Sequence, residues 1–293
     1  MQLLLFILVY PLILLISLLP FRLLYVLSDI VFFIIYYVAR YRRKVVRDNI
    51  ALALPHLSEK ERMSIEKKAY VHMCDMFLEM MKTMSISKKE MEKRFVFKNL
   101  DTYLNFERQG KSVAMMLAHY ASYEWAIIMN TKISYEGYGI YKKINNKYFD
   151  RLVRKIRSKF NTHLIHTNES SSVLAENVKL GKNVVYGLVS DQSPQSKPKT
   201  HWARFMNINV PVYTGAEFLS KKYDMAVVYL KVEKVKRGFY EAEFEVLANE
   251  TAGIPNYEIT DLFLRKVETQ ILAAPQYYLW THRRWKHKDR RPK

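Results

Sequence analysis

The order of apolar and amphipathic segments along this chain predicts an α/β fold: a mixed β-sheet sandwiched by helices, preceded by a hydrophobic N-terminal anchor. Three observations carry this reading. Through the middle of the chain, short apolar runs of strand length alternate with stretches of helical period, the pattern of strand–helix–strand units. Near the end, residues 226–235 and 239–247 alternate as two strands joined through Lys236, Arg237 and Gly238, so a hairpin makes the sheet mixed. At the start, residues 3–21 hold no charged side chain.

That first run is long enough to cross a bilayer as a helix, with Pro11 expected to kink it. Arg22 and Asp29 interrupt, and residues 30–39 are apolar again. A signal peptide fits poorly, because the start is not basic and no clean small-residue cleavage site follows. A helical pair lying in the membrane interface is the other open reading. The chain divides into an anchor, residues 1–39, and an α/β unit, residues 40–293. Arg40, Arg42, Arg43, Lys44 and Arg47 follow the anchor at once. The positive-inside rule keeps such a cluster cytoplasmic, against anionic headgroups.

Residues 49–84 are helical in pattern. Ser58 and Glu61 form a capping-box signature. Tyr70, Met73, Cys74, Phe77 and Met81 fall at helical spacing and are expected to be buried, while Glu79 among them is expected to be exposed. Residues 95–105 read as a strand and a turn. Residues 113–118 form an apolar strand, and 120–129 a helix with Trp125, Ile127 and Ile128 as core contacts. A strand at 137–144 precedes a helix from Asn145-Asn146 to about residue 160, along which Arg151, Arg154, Lys155 and Arg157 recur. Then come a strand at 163–166, a helix at 171–179, and a strand at 183–189 ending in Ser190-Asp191-Gln192. Residues 211–222 read as a helix opened by Pro211. Residues 260–273 form an amphipathic helix, and the tail, 276–293, is aromatic and very basic.

The 293 residues suffice for one large domain with an appendage. A formal charge of +19 points to an anionic partner: nucleic acid, an anionic membrane or an acidic protein. Cys74 is the sole cysteine, which excludes an intrachain disulfide and a cysteine-based metal cluster. His163, His166, His201 and His282 show no metal-ligand spacing, and no glycine-rich phosphate loop is present.

The chemistry centres on His119, which stands where the strand at 113–118 ends, with Glu124 five positions later. On one regular helix, five steps of about 100° would set the two well apart. With His119 at the strand end, Glu124 falls in the first or second helical turn and can reach back. A carboxylate on one ring nitrogen fixes the tautomer and leaves the other nitrogen as a base. Such a base deprotonates an alcohol without any side-chain nucleophile. The competing reading is a strand-end histidine and a helix-surface glutamate with no partnership. In open α/β sheets the site lies beyond the strand carboxyl ends, and His119 and Asp191 both follow strands.

The stretch His119-Tyr120-Ala121-Ser122-Tyr123-Glu124 resembles the H-x4-E motif of the late acyltransferases of lipid A biosynthesis, the lauroyl/myristoyl transferase family. That family sits within the glycerolipid acyltransferase superfamily, whose fold is expected here. The likeness extends to Arg47-Asp48-Asn49-Ile50-Ala51-Leu52-Ala53-Leu54-Pro55, to Tyr141-Lys142-Lys143-Ile144-Asn145-Asn146, and to Val189-Ser190-Asp191-Gln192. Residues 274–286, containing Trp280-Thr281-His282-Arg283-Arg284-Trp285-Lys286, resemble the closing signature. Three departures stand out: Ala121-Ser122 where the family often has Gly or Asn, Lys142 where it has Arg, and a glycine-free turn at 202–207.

The resemblance implies transfer of a fatty acyl chain from acyl carrier protein to a hydroxyl of a lipid A precursor, at the cytoplasmic side of the bacterial inner membrane. In that reading His119 is the base and Glu124 orients it. Arg154 and Arg157, with Lys142 behind them, are oxyanion donors. Asp191 serves the acceptor or one of the arginines, with a plain salt bridge as the alternative. Arg283 and Arg284 are phosphate contacts or structural pairs, in a signature that docks the tail through Trp280 and Trp285. Partners are the carrier protein, the lipid A precursor and anionic membrane lipids; no metal, nucleic acid or cofactor beyond the acyl thioester is implied. Three alternatives stand: an acceptor that is another envelope glycolipid or a phospholipid, a membrane-tethered nucleic-acid binder, and a lipid hydrolase using Ser122.

Overall fold

The computed structural model describes residues 2–194 and 201–289. Its strands are β1 (Phe95–Phe97), β2 (Val113–Leu117), β3 (Glu136–Tyr141), β4 (Thr162–His166), β5 (Val184–Val189), β6 (Trp202–Phe205), β7 (Ile208–Pro211), β8 (Ala226–Lys236) and β9 (Phe239–Ala248). Seven of these build one sheet in the order β1-β9-β8-β2-β5-β3-β4. Every pair in it is parallel except the β8–β9 hairpin. The expected mixed α/β sandwich is therefore present. β2 lies at the centre and all five of its residues are buried, as its unbroken apolar run requires of a parallel strand covered on both faces.

The helices are α1 (Gln2–Leu18), α2 (Phe21–Phe33), α3 (Arg43–Ala53), α4 (Glu59–Lys82), α5 (Lys88–Arg94), α6 (Leu100–Arg108), α7 (Lys147–Arg157), α8 (Ser170–Lys179), α9 (Gly215–Lys222) and α10 (Glu258–Ala273). Several expectations are corrected. Residues 3–21 are not one helix: Pro20 is extended and opens α2. α2 then runs on through a π-helical turn, Ile34–Val38, and it is this stretch, Phe21–Val38, that is long and apolar enough to cross a membrane. Residues 49–84 divide at Leu54-Pro55 into α3 and α4, and α4 carries the expected capping box. The turn expected after β1 is helix α6. Pro211 ends β7, one strand of a small separate β6–β7 hairpin, and α9 begins only at Gly215. Proline is tolerated there because its missing N–H falls outside the main sheet.

The N-terminal helices are docked on the rest of the chain. The Ser28 hydroxyl donates to Asp75 at 2.7 Å and the Tyr25 hydroxyl to Glu79 at 2.8 Å. Arg237, at the β8–β9 turn, bridges Asp29 of α2 and Asp75 of α4. Asp29 thus has its counter-charge on the hairpin. α1 lays Ile13 against Leu152 and Ile156 of α7, while Leu4, Leu8, Leu15 and Leu18 face outward.

Burial along α4 also departs from expectation. Phe77 is exposed, and Glu79 is wholly buried, accepting from the Tyr25 and Tyr240 hydroxyls. Burial pushes the Glu79 carboxyl up to about 7. Two turns earlier on α4, burial and the Lys234 ammonium push the buried His72 imidazole down to about 3. Their pH effects oppose each other. Glu79 contributes stability that is full below its unfolded value near 4.5 and is lost as pH rises through about 7. His72 contributes stability that is full above 6.5 and is lost as pH falls towards about 3. Between about pH 4.5 and 6.5 the two slopes cancel. We expect Glu79→Gln to make stability rise with pH across this window, relative to the parent, by about 1.4 kcal/mol per pH unit. His72→Gln should make it fall by a similar amount. Chemical denaturation of detergent-solubilised protein at several pH values measures both, and parallel profiles for all three proteins would refute the assignment.

Candidate active site

Register places the central pair. β2 and β5 are adjacent and parallel, with Leu117 aligned to Val189. His119 and Asp191 each stand two residues beyond, so the chain ends of neighbouring strands deliver them side by side. β2 leads rightward in the sheet order to β3, whereas β5 leads back to β8. The two residues therefore mark the point where the winding reverses, the crevice in which α/β sheets place ligands.

The Asp191 carboxylate, fully buried, takes two bonds from the same residue: His119 backbone N–H at 3.0 Å and His119 Nδ1 at 2.7 Å, both to Oδ1. Burial alone would raise this carboxyl. The His119 ring's charge and its two bonds, with the field of Arg284, more than offset that and hold it below the ordinary aspartate value. An ionised acceptor on Nδ1 keeps the proton there and leaves Nε2 as the ring's basic nitrogen. The ring lines a cavity of about 490 Å³.

Glu124 does not orient His119. It forms a two-bonded fork with Arg157, its Oε2 accepting from Nε at 2.8 Å and its Oε1 from Nη2. The reason is local. The segment after His119 is a 3₁₀ helix, Tyr123–Thr131, rather than an α-helix, so neighbouring residues diverge by about 120°. Tyr123 takes the face towards His119, with ring centroids 4.9 Å apart in an edge contact. Glu124 is turned towards α7. Burial works against the Arg157 charge, but the Glu124 carboxylate outweighs it and raises the guanidinium further above its ordinary value.

The structure brings His119, Glu124, Arg157 and Lys142 to the walls of one cavity, with Asp191 directly behind His119. Arg154 is exposed on α7 and outside that lining, and Arg283 is exposed in the tail. Arg284 is 1 % exposed, stacks on Phe205 at 4.8 Å and donates to the Pro211 carbonyl at 3.3 Å. It contributes charge near Asp191 from behind the wall, and of the two roles left open for it, phosphate contact or structural pair, its burial fits the interior one. Ser122 is buried and does not line the cavity. Tyr123 and Gln192, read from the sequence only as members of motifs, and Tyr213, not singled out there, also line it.

The tail fixes the loop that carries His119. Tyr120 and Tyr278 form an antiparallel bridge, Leu279 N–H donates to the His119 carbonyl at 3.0 Å, and Ala121 N–H donates to the Tyr277 carbonyl at 2.9 Å. Trp280 and Trp285 are buried and stacked. Asn49 on α3 donates to both the Trp280 and the His282 carbonyls at 2.7 Å. Ala121 is held at φ 49°, a conformation that suits glycine or asparagine.

The family model for the bacterial lipid A biosynthesis acyltransferases matches residues 1–287. Among characterised proteins, the chain is 24% identical over 248 residues to the lipid A biosynthesis palmitoleoyltransferase of Escherichia coli (strain K12), spanning 84% of this chain and 79% of that protein. It is equally similar, over the same shares, to the lipid A biosynthesis acyltransferase of Shigella flexneri.

The Asp191 bond generates a spectroscopic prediction. In protein with ¹⁵N-labelled histidine at neutral pH, His119 should carry its proton on Nδ1. Asp191→Asn should remove that preference, whereas Glu124→Gln should leave it. A tautomer change in Glu124→Gln but not in Asp191→Asn would reverse the pairing.

Proposed function

Because the chain belongs to the bacterial lipid A biosynthesis acyltransferase family, we propose that it transfers a fatty acyl group from an acyl carrier protein thioester to a hydroxyl of a lipid A precursor, at the cytoplasmic face of the bacterial inner membrane. The observation that carries the mechanism is the His119 Nδ1–Asp191 bond at 2.7 Å beside a cavity that also holds the Glu124–Arg157 fork. His119 Nε2 removes the proton of the acceptor hydroxyl. The resulting alkoxide attacks the thioester carbonyl, and the carbonyl oxygen becomes an oxyanion. Arg157, on the wall of the same cavity, is the donor to that oxyanion, and Glu124 fixes its fork in place. Collapse of the tetrahedral intermediate breaks the C–S bond, and the imidazolium returns its proton to the departing thiolate. Asp191 stabilises the imidazolium between the two transfers.

The outward apolar faces of α1 and Phe21–Val38 support a position against a bilayer, with the basic cluster from Arg40 to Arg47 at the headgroups. A net charge of +19 supports recruitment of an acidic carrier.

Three expectations follow for purified enzyme with carrier-protein thioesters and a glycolipid acceptor. His119→Ala should abolish transfer while thermal unfolding is preserved. Asp191→Asn should lower kcat by a factor on the order of 10⁴, the size of the effect when a catalytic histidine loses its orienting aspartate. Arg157→Lys should retain the charge yet lose on the order of 10²-fold, because lysine cannot reproduce the fork. Near-normal turnover by His119→Ala would overturn the mechanism. For the donor, carrier-protein thioesters should outcompete acyl-CoA, by a margin that shrinks as salt rises within the Debye regime of about 10 Å at 0.1 M. A salt-independent ratio of the two would refute the steering role.

A further inference from the structure

Beyond the reacting groups, the cavity continues down one face of the sheet, and its floor has a gap. Successive cavity-facing residues form rows across the strands. Row by row, Leu117 is aligned with Val189, Met115 with Gly187, Gly139 and Leu164, and Val185 with Gly137 and Thr162. The middle row has glycine in two adjacent strands, Gly187 and Gly139, between the side chains of Met115 and Leu164. Glycine inside a strand costs stability and marks places where another group approaches the backbone closely. At Gly187 nothing in the protein requires its absence of side chain: an added Cβ would meet only ordinary contacts, 3.6 Å to the Tyr138 carbonyl and 3.9 Å to Leu117 and Met115. The notch at Gly187 is therefore open space that the fold itself does not need, whereas at Gly139 the Leu164 side chain closes in, 3.2 Å from where a Cβ would stand.

The row below closes the channel. Asn130 lies over Gly137, where an added Cβ would fall 2.0 Å from Asn130 Oδ1. Its Nδ2 donates to Thr162 Oγ1 at 2.7 Å. This bonded pair forms a polar wall at the end of the trough, the stretch of cavity lined by Met115, Leu164 and Val185 and by Ala126, Ile127 and Met129 of the 3₁₀ segment. From the level of Val113 to His119 the trough is about 20 Å long, at about 3.3 Å per residue.

We propose that the acyl chain of the donor lies along this trough, crosses the sheet at the Gly187–Gly139 notch, and is measured by the Asn130–Thr162 wall, so that these residues set the chain length the enzyme transfers. The inference rests on the acyl-transfer reading and assigns its specificity. A chain that reaches the polar wall must displace or desolvate the bonded pair, whereas a shorter one leaves the far trough unfilled. A methyl at position 187 narrows the passage for the distal carbons without touching the reacting carbonyl.

The test offers Gly187→Ala, Gly187→Val and Asn130→Ala enzymes a competing mixture of decanoyl, dodecanoyl, tetradecanoyl and hexadecanoyl carrier-protein thioesters. Products are read by mass spectrometry. Gly187→Ala should lower the ratio of the parent's longest accepted chain to its shortest by at least about tenfold, the discrimination a pocket achieves over one methylene. Gly187→Val should go further in the same direction, with transfer of the shortest chain showing that the variants fold. Asn130→Ala should raise that ratio. An unchanged profile, or an equal loss for every chain in Gly187→Ala, would overturn the proposal. Binding of saturated free fatty acids to the same proteins, by displacement of a fluorescent fatty acid, is read in parallel. If the parent transfers no chain but binding shifts with chain length in the variants as described, the reaction assignment fails and the trough stands. A binding profile unaltered by the variants overturns the trough whatever the enzyme transfers.

Discussion

The register of β2 against β5 is the constraint on which the site depends. With Leu117 opposite Val189, His119 and Asp191 emerge together at the crevice, and a single carboxylate oxygen takes both the backbone and the ring N–H of His119. A slip of one residue would turn alternate side chains to the other face of the sheet. The same slip would move Met115 away from Gly187 and displace that side of the trough floor. One alignment, held by buried apolar strands, therefore fixes the His119–Asp191 geometry and one side of the cavity behind it. The interaction energy of a buried ion pair is context-dependent and offers weak evidence for stability. Here its value is positional: it fixes which ring nitrogen faces the cavity.

Holding that geometry takes elements from both ends of the chain. The tail pairs with the loop carrying His119, and Asn49 on α3 holds the tail by two carbonyls. Ala121 sits in a left-handed conformation that costs of order 1–3 kcal/mol and persists where the surroundings over-determine it. The Tyr277 carbonyl and the complete burial of Ala121 supply that determination. At the other edge, Arg237 and Asp75 tie α2 to the hairpin and to α4. The apolar N-terminal helices are thus attached to the same sheet whose C-terminal ends carry the site, and α1 packs directly on α7, the helix that supplies Arg157.

The sequence made the sheet's composition legible because apolar runs and alternation report burial directly. The hairpin, the buried centre at 113–117 and the strand-end positions of His119 and Asp191 all follow from such patterns. Partnerships were less legible. Whether Glu124 reaches His119 depends on whether the segment after it is α or 3₁₀, a difference of about 20° per residue that composition does not encode. Glu79 read as exposed because its partners, Tyr25 and Tyr240, lie far away in sequence. Pro211 read as a helix start because proline suits that position as well as the end of an edge strand. The glycine notch was invisible for a related reason. Gly187 and Gly139 become neighbours only through the β3–β5 register.

The Glu124–Arg157 fork raises a question of charge, since an arginine already neutralised by a carboxylate would be a weak oxyanion donor if neutralisation were all that mattered. The geometry argues otherwise. Glu124 engages Nε and Nη2, one edge of the guanidinium, and leaves the Nη1 edge for another acceptor. A preorganised donor incurs no reorganisation when charge develops, and in a site of low effective dielectric each hydrogen bond to an oxyanion is stronger than in water. Lys142, the other cation on the cavity wall, is exposed. Its ammonium is hydrated and flexible, and must be partly desolvated before it helps. Glu124 thus lowers the net charge of the fork but supplies what Lys142 lacks, a fixed direction. In the proposed mechanism this accounts for an acidic residue five positions after the histidine that pairs with Arg157 instead: it acts through Arg157, on the oxygen of the reacting carbonyl rather than on the proton.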